Sequence, residues 1–195
     1  MNRLIFDMDG TIAALYNVKN WLSKLRAEDT SPYAEAAPMW DMNALCMKLK
    51  NLNAWEVVIV SWGSKNATPH FDEEVKKVKI DWLNQYNFPV SKRNIHVVPY
   101  GTPKQRYKAK KNYRSILIDD NEEIREKFCS YKNCSAVDPT KTDIIQFVAS
   151  LIWDLSFCVC LIYVTLNKIF RNCLMYHWLI RKFVVYYNHK RKEKK

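Results

Sequence analysis

A chain of 195 residues, 48% hydrophobic and 26% charged, is long enough to bury a real core as one ordinary domain and too apolar to be disordered. The formal net charge of +11 suggests nucleic acid or an anionic membrane, but residues 152–195 hold nine Lys/Arg against Asp154 and Glu193, so the tail carries +7 and the main body only +4. Six cysteines (Cys46, Cys129, Cys134, Cys158, Cys160, Cys173) form no C-x-x-C pair and no zinc-spaced set with a histidine, which reads as free thiols in a reducing compartment.

The first apolar run, Leu4–Phe6, is too short for a signal peptide and leads straight into carboxylates, so a cytoplasmic protein is expected. After Thr11, Val18, Trp21, Leu22 and Leu25 recur at i, i+3, i+4, i+7 and predict an amphipathic helix; Ala27–Pro38 reads as turn and loop. A second helix follows Pro38, with Met42, Leu45, Cys46 and Leu49 on one face and Asp41 at its start. Val57–Val60 is a β-branched run of the kind that forms a parallel strand covered on both faces, and it ends in Ser61-Trp62-Gly63-Ser64. The next helix uses Val75, Val78, Trp82 and Tyr86, with Asp72-Glu73-Glu74 in its first turn. A strand at Ile95–Val98, a short basic helix from Thr102-Pro103 to Lys111, and a strand at Ser115–Ile118 ending in Asp119-Asp120-Asn121 come next. A helix at Glu122–Phe128, a short strand at Ser135–Val137 and a helix at Ile144–Leu151 complete the body. This alternation predicts an α/β, Rossmann-like parallel sheet of about five strands with helices on both faces, its ligand site beyond the carboxyl ends of the strands.

Three strands end in residues that can do chemistry. Asp7 and Asp9, two apart at a strand end, point the same way and repel each other unless a cation or proton lies between them. Gly10 frees the turn and Thr11 adds a hydroxyl, which together suit a hard divalent cation and a phosphate. The motif Asp7-Met8-Asp9-Gly10-Thr11, the strand-end Ser61, the stretch Tyr100-Gly101-Thr102-Pro103-Lys104 and the run Ile116–Glu123 with Asp119-Asp120 resemble, in order, the four motifs of the haloacid dehalogenase superfamily. The likeness covers about residues 3–140 and is nearest to the small 5′-nucleotidase-like phosphatases of bacteria and their phages.

The resemblance implies a Mg²⁺-dependent phosphomonoesterase. Asp7 would attack phosphorus to form an aspartyl-phosphate, and Asp9 would protonate the leaving oxygen and then activate water. Asp119 with Asp7 and the backbone carbonyl of Asp9 would hold the metal, with Asp120 supporting it directly or through water. Ser61 would donate to the phosphoryl group and a lysine would balance the charge, Lys104 being preferred over Lys108, Lys110 and Lys111 because it opens the element nearest the strand ends. Thr11, Trp62 and Gly63 are the expected substrate contacts, Trp62 by stacking on a base or sugar. The presence of Asp9 implies a phosphatase, since carbon–halogen-cleaving relatives lack it.

Residues 1–151 are thus expected to be the phosphatase domain, with 12–39 as a small cap. That cap supplies Tyr16, Trp21, Tyr33 and Trp40, and helical spacing favours core packing for Trp21. The tail, 152–195, does not fit the resemblance. Its apolar run Leu155–Leu166 is short of the roughly 20 residues that span a bilayer, and Tyr176–Tyr187 carries a helical apolar stripe followed by the basic Lys190–Lys195 cluster. Membrane-surface association, an extra helical layer, and a tail with little selected structure all remain open for it. For the whole chain, a small phosphorylated substrate, a nucleotide above all, is the leading partner. The alternatives are a nucleic-acid end phosphatase, like the phosphatase halves of polynucleotide kinases, and a membrane-tethered, non-catalytic binding module.

Overall fold

Strand β1 (Asn2–Phe6) runs through the middle of a five-stranded, all-parallel sheet in the order β3-β2-β1-β4-β5. Its partners are β2 (Trp55–Trp62) on one side and β4 (Ser115–Ile118) on the other, with β3 (Ile95–Val98) and β5 (Cys134–Val137) at the edges. This computed structural model describes residues 1–152; the expectations for the membrane-seeking or helical tail fall on 153–195, outside the described residues. Among the described residues no helix is long and apolar enough to cross a membrane.

The two-residue period of the strands sorts the core. Leu4, Phe6, Val57, Ile59, Ile116 and Ile118 face one side and pack against α3 (Met42–Lys50), α4 (Pro69–Gln85) and a helical stretch over 144–152 through Leu45, Leu49, Trp82, Ile144 and Val148. Ile5, Val58, Val60 and Leu117 face the other side, where α5 (Glu122–Cys129) covers them with Phe128 and Ile124. Burial on both faces is why these strands read as continuous apolar runs. The expected sheet and its helical layers are present.

The helices start where side chains satisfy their free N–H groups. Asp41 accepts from Ala44 N, Thr68 from Phe71 N and Asn121 from Ile124 N. Three expectations need correction. The helix expected through Val18–Leu25 is broken: Leu15–Asn17 is a 3-10 turn, Asn20 takes a left-handed φ of 59°, and only α1 (Trp21–Arg26) is helical, with none of its residues buried. The expected loop Ala27–Pro38 contains a short helix, α2 (Ser31–Glu35), entered through an Asp29 side chain that accepts from both the N–H and the hydroxyl of Ser31. The expected basic helix to Lys111 stops after one 3-10 turn, Lys104–Tyr107.

The chain order creates a crevice. It leaves β1 for β2 and β3 on one flank, then returns across the sheet to β4 on the other, so the connections after β1 and β4 diverge. Phe6 is in register with Ile118, which sets the residues that follow each strand side by side.

Candidate active site

Asp7 leaves β1 with its N–H still bonded to Ile118 O at 2.9 Å, and Asp119 leaves β4 with its N–H on Val137 O at 3.3 Å. Sheet hydrogen bonding thus fixes the backbones that carry both carboxylates. Beyond β1 the chain turns tightly: Met8 O accepts from the N–H groups of Thr11, Ile12 and Ala13. Gly10 permits that turn at φ +74°, and a Cβ there would lie 2.5 Å from both Asp120 Oδ2 and Tyr16 Cε2. Arg125 secures the other wall, its Nη1 donating to the carbonyls of Asp119 (2.8 Å) and Asp120 (2.7 Å) and its Nη2 to Asp138 Oδ2 (3.0 Å).

One carboxylate oxygen from each of Asp7, Asp119 and Asp120 lies within 4.8 Å of the other two. Lys104, 2% exposed, is set between two of them, with Nζ 2.8 Å from Asp7 Oδ1 and 2.7 Å from Asp119 Oδ2. Burial alone would push the Lys104 ammonium toward neutrality, but Asp7 and Asp119 outweigh it and hold its pKa above the ordinary lysine value. One lysine does not neutralise three carboxylates. Burial, then the Asp7 charge, raise Asp119 to about 6; burial with Asp7 and Asp119 raise Asp120 to about 7. Hard oxygen donors, an excess of negative charge and close mutual distances are what a divalent cation such as Mg²⁺ requires, so these residues fit one.

Asp9 belongs to a different set. Its Oδ2 is 2.6 Å from Nζ of Lys79, and that ammonium also donates to Ser61 Oγ (2.8 Å) and to Trp62 O (2.7 Å). The Asp9 carboxylate is taken by Lys79 and stands outside the Asp7/Asp119/Asp120 cluster; the metal ligand expected from Asp9 is a different atom, its backbone carbonyl. Burial raises the Asp9 pKa, with Lys79 opposing. Ser61, expected to reach a phosphoryl group, is fully buried with its hydroxyl oxygen occupied by Lys79, which leaves its own proton to donate.

Above these residues opens a cavity of about 570 Å³, into which Asp7 and Asp9 project. Lys104, Ser61, Asp119 and Asp120 are not part of its wall. One side is the 12–39 segment, with Tyr16, Trp21, Leu22 and Tyr33; the other is the loop after β2, from Trp62 to Ala67, with Tyr100. Tyr16 and Trp21 form one tilted aromatic pair (centroids 5.1 Å apart) and Trp62 and Tyr100 another (4.9 Å). Trp21, expected to pack in the core, does pack against the buried cluster of Leu15, Tyr33, Phe71 and Val75, and it lines the wall as well.

The expected contacts divide accordingly. Trp62 and Gly63 line the cavity; the Trp62 indole N–H is anchored on Thr102 O at 2.8 Å. Thr11 does not line it: it is fully buried, its Oγ1 has no hydrogen-bond partner, and its carbonyl accepts the Trp40 indole N–H at 2.8 Å. Ser64 lines the wall, its hydroxyl 3.3 Å from that of Tyr33, and so does Asn66. Sequence reasoning missed Lys79 and Arg125. Lys79 left one trace: it falls four residues after Val75 and three before Trp82, a lysine on the apolar stripe of its helix. No family model matches this chain, and no curated protein matches it either.

Proposed function

We propose that this protein is a Mg²⁺-dependent phosphomonoesterase of the haloacid dehalogenase superfamily, acting through an aspartyl-phosphate on a small substrate of the nucleotide class. One observation carries the reading: Asp7 and Asp9 face the cavity while a cation-ready cluster and two buried lysines stand behind them.

Asp7, held by Lys104 on one oxygen, attacks phosphorus; the Asp7–phosphorus bond forms as the ester bond breaks. The Asp9 carboxyl gives its proton to the leaving oxygen, then takes one from the water that cleaves the aspartyl-phosphate, so ester and water yield alcohol and inorganic phosphate. Asp7, Asp119 and Asp120 would hold Mg²⁺, which when bound would supply charge neutralisation for the phosphoryl oxygens. Lys104 keeps the nucleophile's backing positive throughout.

The cavity volume falls within the range of small-molecule sites, and two aromatic pairs on opposite walls suit a planar base, with Arg26 and Lys65 lining the same space. The nucleic-acid reading loses its main support, because Lys104 is consumed by the carboxylates and the basic helix is a single turn. A cytoplasmic site of action goes with this reading, the tail being free to add a membrane contact.

The test is a panel of phosphomonoesters with Mg²⁺, run on wild type and Asp7→Asn. Hydrolysis of nucleoside monophosphates by wild type, reduced at least about 10³-fold in the variant, supports the proposal. Absence of any phosphate release by wild type overturns it.

A further inference from the structure

Among the described residues, Lys79 is the one fully buried lysine whose role is not explained by the acidic cluster: it is 0% exposed, and all three ammonium hydrogens are spent, on Asp9, Ser61 and Trp62 O. An ammonium in a protein interior is costly, and here it is balanced by a single carboxylate. That carboxylate is Asp9, which reaches the cavity together with Asp7. The contacts come from three directions, β1 through Asp9, the end of β2 through Ser61 and Trp62, and α2 through the Tyr33 ring, whose centroid lies 4.5 Å from Nζ. Lys104 touches the other acid, Asp7, and Asp119. Asp7 and Asp9 therefore each have their own buried cation, carried on a different element.

We infer that Lys79 is a positioning residue for proton transfer: by gripping Asp9 Oδ2 and tying it to the end of β2, it holds the Asp9 carboxyl at the leaving-group side of the site. The inference rests on the phosphatase reading. In the first step the phosphorus–oxygen bond to the leaving group breaks and the Asp9 proton moves to that oxygen; in the second, a water proton returns to Asp9 as the Asp7–phosphorus bond breaks. Lys79 touches no reacting atom. It acts wherever Asp9 moves a proton, and in the first step its effect depends on how basic the leaving oxygen is.

The experiment compares full-length wild type, Lys79→Met, Asp9→Asn and the double variant on two esters: nitrophenyl phosphate, whose leaving group departs without a proton, and a nucleoside monophosphate, whose alkoxide does not. Lys79→Met is expected to lower kcat/KM, which reports the steps through departure of the leaving group, about 100-fold on the nucleotide and less than about 10-fold on the aryl ester, since positioned proton transfer contributes roughly 10²–10⁴. In the Asp9→Asn background, removing Lys79 is expected to change kcat on the nucleotide by less than about threefold, because the two act as a unit. The double variant carries no unpaired buried charge, so it decides the matter should Lys79→Met fail to fold. An equal loss of kcat/KM on both esters, or a further tenfold loss in the double variant, overturns the role of Lys79 while leaving the phosphatase reading intact. A wild type that hydrolyses neither ester ends both.

Discussion

The floor and the walls of the cavity are built on opposite plans. The floor is made of strand ends, where sheet hydrogen bonds set the backbones of Asp7 and Asp119 and the lysines that balance the acids are 2% exposed or less. The walls are short helical pieces and loops, with no buried residue in α1 and with Tyr16 and Tyr100 about half exposed. A buried charge lattice tolerates almost no change, because removing one member strands its partner in low dielectric. A half-exposed aromatic wall can vary at little cost to the fold. Chemistry is thus expected to sit in the sheet and selectivity in the 12–39 and 62–67 segments.

The sharpest way to break this division is Lys104→Met, which leaves Asp7 and Asp119 facing each other uncompensated. A stability loss of about 3–5 kcal/mol is expected in urea denaturation, together with at least a 100-fold fall in phosphatase turnover. Wild-type turnover in this variant would remove Lys104 from the site.

Next in size is Gly10→Ala. A left-handed φ costs a non-glycine residue about 1–2 kcal/mol, and the new methyl meets Asp120 and Tyr16 at 2.5 Å. Turnover is expected to fall with Mg²⁺ affinity, which isothermal titration would read, because Asp120 must move.

On the wall side, Tyr100→Ala removes one face of the Trp62/Tyr100 pair. Loss of one stacking contact, worth roughly 1–3 kcal/mol, should raise KM for a nucleotide about tenfold while kcat stays within about threefold and the thermal midpoint barely shifts. A fall in kcat instead would mean that the wall takes part in the chemistry.

The smallest effect is a pH dependence of the floor. Asp119 and Asp120 are raised to about 6 and about 7 from an ordinary value of 3.8. A raised carboxyl favours the fold below its unfolded pKa, and this contribution is lost as pH climbs through the folded value. Metal-free protein should therefore lose stability between about pH 4 and 7 from these two groups. The gain in thermal midpoint on adding Mg²⁺ should be larger at pH 8 than at pH 5, as scanning fluorimetry would show.

The same division explains what the sequence disclosed. Val57–Val60 and Ser115–Ile118 are strands buried on both faces, so composition alone marks them, and the acids that end β1 and β4 follow directly. Asp41 caps the helix it was expected to start. The walls were harder to read because local backbone preferences override periodicity there. Asn20 in the left-handed region ends a pattern that Val18, Trp21, Leu22 and Leu25 would otherwise continue, and the Asp29 side chain turns a presumed loop into the start of α2. Lys104 and Lys79 differ in the same way. The first follows Thr102-Pro103 beside the strand ends, whereas the second is 70 residues from its partner Asp9 and is brought to it only by the docking of α4.

That docking depends on Gly63. Its N–H bonds to Val98 O at 2.7 Å, and a Cβ there would come within 2.6 Å of Asp72 Oδ1 in the first turn of α4. Lys79 lies seven residues farther along that helix, about 10 Å of rise, and reaches back to the neighbouring Trp62 carbonyl. A side chain at Gly63 would meet the Asp72 carboxylate before any backbone atom, so the bare position leaves room for an acid in the first turn of the helix that carries Lys79.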